Sequence, residues 1–324
     1  MLQNTPLTGA HVEPTALNHR ASAQSIEGVS LPQSLFNPIE LAAQIGQKVM
    51  QGNKRKYLRF GTTPDYRTGI ATGYTVGCNL RCVFCWGHET RDNPSLANQY
   101  FSPTEAFDQL CQTAATQKGV DKIRISDAEP TIGFDHLLEL IELTQKSNLD
   151  LFVLETNGIL TGNQPSMIRQ LAQFSKLYVR VSLKAGNPLA FSRKTGAMPE
   201  FFELPFATIS YLHENNMCFG VSAMSADPRF MDPIERIQLI ARLAQIDPSL
   251  VLRLEEEMII LFPTTRKRLQ KAGWDCRWKK NKLLRFLPWA SYIQWPWYPI
   301  ATLARQKPSL RYTLKNIKQL SHGI

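Results

Sequence analysis

Ile70-Ala71-Thr72-Gly73-Tyr74-Thr75-Val76-Gly77-Cys78-Asn79-Leu80-Arg81-Cys82-Val83-Phe84-Cys85-Trp86 joins a short strand-like run to three cysteines at spacing Cys-x3-Cys-x2-Cys. Residues 70–76 read as a strand, and the cysteines occupy the loop directly behind it. Three thiolates close in sequence can grip three corners of an iron-sulfur cubane, and a loop is flexible enough to wrap it. A fourth iron would then lack a protein ligand. His88 keeps a second reading open, because Cys78, Cys82, Cys85 and His88 could also complete a tetrahedral Cys3His zinc site.

From residue 69 onward, short apolar or alternating runs alternate with longer helical stretches, the signature of βα units feeding a parallel sheet. Strands are expected at 70–76, 122–126, 151–155, 177–184, 218–224 and 250–256, with helices around 103–116, 134–144, 164–174, 201–214 and 233–244. Side chains alternate along a strand, so the fourth run sets Leu177, Val179, Val181 and Leu183 against Arg180, Ser182 and Lys184. The second sets Ile123 and Ile125 against Arg124 and Ser126, and the sixth sets Leu250, Leu252 and Leu254 against Arg253 and Glu255. A closed eight-stranded barrel fills its interior with branched apolar side chains, so these polar faces point to an open, solvated lumen that holds something charged. Edge strands facing water are the plainer alternative. The expected fold is α/β, an open, partial TIM-type (β/α)6 barrel, with the cysteine loop where barrel active sites lie.

With 324 residues, 43% hydrophobic and 20% charged, the chain can bury a large core and is neither a disordered nor a collagen-like protein. Six cysteines are too few for a disulfide scaffold, and the first 35 residues lack the apolar run of a signal peptide, so a reducing cytoplasm is the expected compartment. The formal charge of +10 points to a nucleic-acid or membrane partner only until it is located along the chain. Residues 1–260 carry 23 Lys+Arg against 26 Asp+Glu, a net of −3, and residues 261–324 carry 14 against 1, a net of +13. Five of the six tryptophans, Trp274, Trp278, Trp289, Trp295 and Trp297, lie in that same basic stretch. The expected organisation is a mobile leader over 1–36, a helix and connector over 37–60, the barrel over 61–260 and a basic, aromatic extension over 261–324. Asn37-Pro38 caps the helix, and Ile39, Leu41, Ala42, Ile45, Val49 and Met50 mark its apolar positions up to Gly52.

On these residues the chain resembles the radical S-adenosylmethionine (radical SAM) superfamily. The family's Cys-x3-Cys-x2-Cys loop follows the first barrel strand, commonly with an aromatic residue before the third cysteine, here Phe84. Ser126-Asp127-Ala128-Glu129-Pro130-Thr131 is similar to its Gly-Gly-Glu-Pro motif, with Asp127 and Ala128 in place of the glycines. Glu155-Thr156-Asn157-Gly158 is similar to the Glu-Thr-Asn-Gly segment of several members. Ser182-Leu183-Lys184 resembles the Asp-Leu-Lys of glycyl-radical activases, with Ser182 replacing the aspartate. The resemblance covers about residues 61–260, and its placement of the loop after a barrel strand moves the weight from zinc to the cluster.

What the resemblance implies is a 4Fe-4S cluster on Cys78, Cys82 and Cys85, with S-adenosylmethionine chelated to the open iron through its amino and carboxylate groups. A cellular one-electron reductant of flavodoxin or ferredoxin type drives homolysis to methionine and a 5′-deoxyadenosyl radical. It further implies cofactor contacts from Phe84, Asp127 and Ala128, from Glu129 to the methionine ammonium, from Ser182 and Lys184 to the carboxylate or ribose, and from Asn157 to the ribose or adenine. Glu129 could instead pair with Arg124, and Lys184 could be a solvated strand end. Arg180, Arg253 and Glu255 lie deeper, where they either read the substrate or bridge the barrel as salt bridges. The substrate is unassigned.

Cys111, on a helical pattern, and Cys218, at the start of an apolar strand, read as core. With Cys276 they are too scattered to hold a second cluster, although Cys276 could serve as a hydrogen donor or methyl carrier. Residues 283–304 are apolar and aromatic with Arg285 as the one charge, but Pro288, Pro296 and Pro299 would break a helix, so no transmembrane span is expected. The extension can close the open barrel as a lid or lie in a membrane interface. It can also carry Arg266, Lys267, Arg268, Arg277, Lys279, Lys280 and Lys282 to nucleic-acid phosphates, all within residues 264–324. The expectation is a cytoplasmic radical SAM enzyme with peripheral membrane association left open. An RNA-modifying enzyme that uses the tail and a non-enzymatic zinc or iron-sulfur binding protein are the alternatives.

Overall fold

The computed structural model describes residues 34–66 and 68–277. The leader up to residue 33 and residues 278–324 lie outside the described residues, including the 283–304 segment, Trp278, Trp289, Trp295, Trp297, Lys279, Lys280, Lys282 and Arg285. Along the described chain run β1 (Met50–Gln51), β2 (Lys54–Thr63), β3 (Ile70–Thr75), β4 (Gln99–Phe101) and β5 (Lys122–Ser126), then β6 (Leu151–Thr156), β7 (Leu177–Leu183), β8 (Phe219–Ala223) and β9 (Glu255–Glu256). They form one sheet in the order β1-β2-β3-β5-β6-β7-β8-β9, with β4 on β2. Every pairing from β3 to β9 is parallel, which makes six parallel strands and an unclosed α/β barrel of the expected kind.

The strands form where apolar side chains alternate. Ile123, Ile125, Leu177, Val179, Val181 and Leu183 are at most 1% exposed and pack beneath helices such as Pro103–Ala115, Phe134–Lys146 and Leu204–Glu214. Burying each such side chain contributes about 1.5–3 kcal/mol. The helix Pro103–Ala115 starts on a capping box, in which Ser102 accepts from the Glu105 amide and Glu105 accepts from the Ser102 amide. The first helix is Pro38–Val49, where Asn37 Oδ1 accepts from the amides of Ile39 at 2.9 Å and Glu40 at 3.3 Å.

Two expectations need correction. The sixth strand does not run over 250–256: Asp247 accepts from the Ser249 amide, Pro248 takes the first helical position, and Pro248–Leu252 is a helical turn. Leu252 is 89% exposed as a result, and the chain joins the sheet only at Glu255. The second correction concerns the boundary expected at residue 61, which falls inside β2, a ten-residue strand antiparallel to β3. Arg55 and Tyr57 are buried within that strand, so the segment expected to be a connector is part of the sheet.

His136, from the helix Phe134–Lys146, ties β2 down. Its Nδ1 donates to the Asn53 carbonyl at 2.9 Å, and its Nε2 lies 2.9 Å from the Tyr57 hydroxyl, from which the neutral ring accepts. Burial pushes its pKa down to about 4, against the pull of the Asn53 carbonyl. Below pH 6.5 the unfolded chain binds a proton that the native state refuses, so stability held above 6.5 is lost as the pH falls towards 4, up to about 3 kcal/mol. Thermal unfolding of H136Q should therefore follow a shallower pH slope than the native protein over that window. Equal slopes would remove the assignment.

Candidate cluster and cofactor site

The loop after β3 turns at Gly77, whose φ of +85° is left-handed and where a Cβ would meet Ile45 Cγ2 at 2.5 Å. The chain then crosses to the end of the helix Pro188–Thr195. The Arg81 amide donates to the Thr195 carbonyl and the Val83 amide to the Lys194 carbonyl, each at 2.9 Å. Cys82 is buried, while Cys78 and Cys85 are half-buried. A guanidinium donates to the carbonyl of each: Arg81 to Cys78 at 2.5 Å, Arg91 to Cys82 at 2.6 Å, and Arg268 to Cys85. Burial pushes the Cys78 and Cys85 thiols up to about 11 and raises that of Cys82, while the Lys184 ammonium pulls all three down.

The neighbouring strand ends meet this loop. Asp127, just past β5, has a φ of +76°, a conformation that glycine adopts freely and aspartate tolerates better than most residues. Its carboxyl lies against the loop, since a Cβ at Gly87 would stand 2.5 Å from its Oδ1, and burial raises its pKa. Ala128 beside it is half-buried. Glu129 is 2% exposed and does not pair with Arg124. Its Oε1 accepts from the Thr131 amide (3.2 Å), the Thr131 hydroxyl (2.7 Å) and the Thr156 hydroxyl (2.7 Å), and its Oε2 accepts from the Asn157 amide at 2.9 Å. Glu129 thus locks the end of β5 to the end of β6. Asn157 Nδ2 reaches the loop, at 2.8 Å from Asn79 Oδ1 and 3.9 Å from Cys78 Sγ. Beyond β7, Lys184 donates to Ser182 Oγ at 2.7 Å and lies 6.0 Å from the Phe84 ring centre. Phe84 meets Phe230 edge-on at 4.7 Å, and Trp274 stacks on Phe230 at 4.5 Å.

Below this level the lumen is charged. Arg124 donates to Thr72 at 3.0 Å and Glu155 at 3.3 Å and pairs with Asp65. Arg180 pairs with Glu255 at 2.8 Å, Glu155 at 3.7 Å and Glu257. Burial alone would lower the Arg180 pKa, but Glu257 and Glu155 outweigh it and push it up. Arg180 and Glu255 therefore bridge the barrel. Arg253 is not in the lumen: it is exposed at the end of the turn Pro248–Leu252 and donates to Ser249.

Several site residues escaped the sequence reading. Arg55, on the unforeseen β2, is fully buried and donates to the Glu129 carbonyl at 3.0 Å. Ser222, the register partner of Ser182, was legible as the polar position between Val221 and Ala223. Arg268, grouped with the phosphate-directed set, turns inward to the cysteine loop, while Arg266, Lys267 and Arg277 are exposed. Cys218, expected in the core, is exposed because the chain enters β8 only at Phe219. Cys111 is half-buried, and the Cys276 thiol points to the Trp274 carbonyl at 3.9 Å. Among the described residues no three His, Cys, Asp or Glu side chains converge as a single metal ion requires, and His88 has Glu89 at 4.0 Å.

The family model of the Radical SAM superfamily matches residues 73–242, more than half of the chain, and the chain belongs to that superfamily. Members use a 4Fe-4S cluster and S-adenosylmethionine. The chain is 31% identical over 140 residues to a GTP 3',8-cyclase of Peptoclostridium acidaminophilum, covering 43% of this chain and 38% of that protein. It is 26% identical over 126 residues to a GTP 3',8-cyclase of Clostridium perfringens (strain 13 / Type A), covering 39% and 36%. The chain thus matches well under half the length of these curated relatives. Among solved structures it is similar to Streptococcus suis SuiB bound to S-adenosylmethionine, with 16% identity, TM-score 0.47, and coverage of 68% of this chain and 45% of that one. It is also similar to TYW1 with a lysine-pyruvate adduct bound, with 16% identity, TM-score 0.43, and coverage of 70% and 79%. No helix among the described residues is long and apolar enough to cross a membrane.

The residues present fit the family's cofactors. The loop offers three sulfur donors, the set that iron-sulfur clusters take. Two buried polar atoms face the same region without partners, Asn79 Nδ2 beside Cys78 and Ser222 Oγ beside Ser182.

Proposed function

We propose that this chain holds a 4Fe-4S cluster on Cys78, Cys82 and Cys85, binds S-adenosylmethionine across the ends of β5, β6 and β7, and abstracts hydrogen from a polar substrate seated in the lumen. When bound, the cluster and S-adenosylmethionine supply reductive cleavage to methionine and a 5′-deoxyadenosyl radical. The observation that carries the reading is the meeting of Asp127, Glu129, Asn157 and Lys184, from three successive strand ends, on one three-cysteine loop. Lys184, held by Ser182, supplies a cation for the methionine carboxylate or ribose. Glu129 holds the β5 and β6 ends in register, and the spare lone pairs of its Oε2 are available to the methionine ammonium. Phe84, Phe230 and Trp274 cover the loop with aromatic surface that excludes water. The two buried guanidiniums and the bridging Glu155 orient the substrate's polar groups.

The GTP of the cyclase relatives is not carried over, because under two fifths of their length is matched. Anaerobic reconstitution with iron and sulfide, then reductant and S-adenosylmethionine, tests the reading by formation of 5′-deoxyadenosine. A zinc-containing protein, or an iron-sulfur protein that never forms it, would overturn the proposal. Lys184→Ala should weaken S-adenosylmethionine binding to the reconstituted protein about 10–100-fold, the loss expected for one charged hydrogen bond. An unchanged calorimetric Kd would place Lys184 outside the cofactor site.

A further inference from the structure

Three cysteine carbonyls, three guanidiniums: Arg81 on Cys78, Arg91 on Cys82 and Arg268 on Cys85. The three cations differ in what balances them. Arg81 and Arg91 share Asp92, which lies 3.1 Å from Arg81 Nε and pairs also with Arg91. Arg268 makes no ion pair among the described residues, and its Nε and Nη1 are buried without hydrogen-bond partners. It comes from the helix Pro263–Lys271, outside the parallel barrel, and Trp274 three residues beyond that helix stacks on Phe230 and seats the segment. The Arg193 guanidinium, 4.0 Å from the Trp274 ring, closes over it.

We propose that Arg268 is a positioning and tuning residue that raises the reduction potential of the cluster on Cys78, Cys82 and Cys85, so that the segment following the barrel governs how readily the cluster accepts its electron. The inference rests on the cluster reading above. One electron from a flavodoxin- or ferredoxin-type donor makes the cluster one unit more negative, and a cation beside a ligand's backbone favours that state. Hydrogen bonding and charge around the ligands are the protein's means of setting such a potential. Burial lowers the Arg268 pKa while the Cys85 thiolate, Asp92 and Glu89 favour its charge, and Arg91 and Lys184 act on Cys82 and Cys85 from the other sides of the loop. Arg81 and Arg91 share the one carboxylate of Asp92, and Arg268 adds a further positive charge beside Cys85.

The test is a dye-poised redox titration of the reconstituted full chain without S-adenosylmethionine, read by electron paramagnetic resonance of the reduced cluster. At the potential where the native cluster is half reduced, R268Q should show a reduced-to-oxidised ratio about tenfold lower, equivalent to about 59 mV for a one-electron couple. R268K, which keeps the charge, should stay within about twofold of native, and D92N, which frees Arg81 and Arg91 of their counter-ion, should shift the ratio upward. R268Q loaded to native iron content but unshifted, or Gln and Lys variants that shift alike, would overturn the inference. Should R268Q fail to load, an unshifted D92N overturns it. Native protein that assembles no cluster removes the underlying reading as well, whereas a loaded native protein with an unshifted R268Q removes this inference alone.

Discussion

Cys82→Ala is expected to fold, to retain little iron or sulfide after reconstitution, and to form 5′-deoxyadenosine more than about a hundredfold more slowly than the native chain. Changes to groups that merely support a ligand cost 10–100-fold in affinity or activity, so loss of a ligand should exceed that range. Cys82 is the most deeply buried of the three and has its carbonyl fixed by Arg91, so no neighbouring thiol can move into its place. Cys111→Ala and Cys276→Ala serve as controls, since neither thiol belongs to the loop, and both should keep native iron content. Full iron in C82A, or equal losses in the controls, would refute the ligand assignment.

The second large effect lies behind the loop. Lys194 is fully buried and pairs with Glu235 at 2.5 Å, its ammonium stands 4.7 Å from the Phe230 ring centre, and its carbonyl holds the Val83 amide. Glu235 also accepts from the Gly186 amide at 2.9 Å, so the pair joins two segments that flank the lumen. Removing one member of a buried pair strands the other charge, so Lys194→Ala should destabilise the chain by about 3–5 kcal/mol in denaturant unfolding. The double variant K194M/E235Q, which removes both charges at similar volume, should recover a substantial part of that loss. A double variant as unstable as the single one would mean that packing, and not the stranded carboxylate, sets the cost.

The sequence was most readable where local pattern and tertiary role coincide. Lys122–Ser126 matches its expected bounds because Ile123 and Ile125 alternate with Arg124 on a strand buried on one side and charged on the other. The placement of the three cysteines on one loop behind β3 was readable because it depends on local spacing alone. The alternation of Leu250, Leu252 and Leu254 misled because it competes with Asp247-Pro248, a cap and first-turn pair that starts a helix and leaves Leu252 in solvent. β2 stayed hidden because Lys54, Arg55, Lys56 and Arg59 resemble a solvated charge run, and only the fold shows that Arg55 is enclosed beneath Glu129. The role of Glu129 as a clasp between β5 and β6 was equally out of reach, since Thr156 and Asn157 become its partners only when the two strands lie side by side.

The contact between Arg268 and Cys85 joins positions 183 residues apart. At 5–20 residues per second of synthesis, Arg268 leaves the ribosome about 10–40 s after Cys85. The nascent chain therefore carries its three thiols through that interval before the guanidinium that caps the third can arrive. Completion of the loop waits on the helix that follows the last strand, so it is an event of the assembled barrel and not of the loop as it emerges.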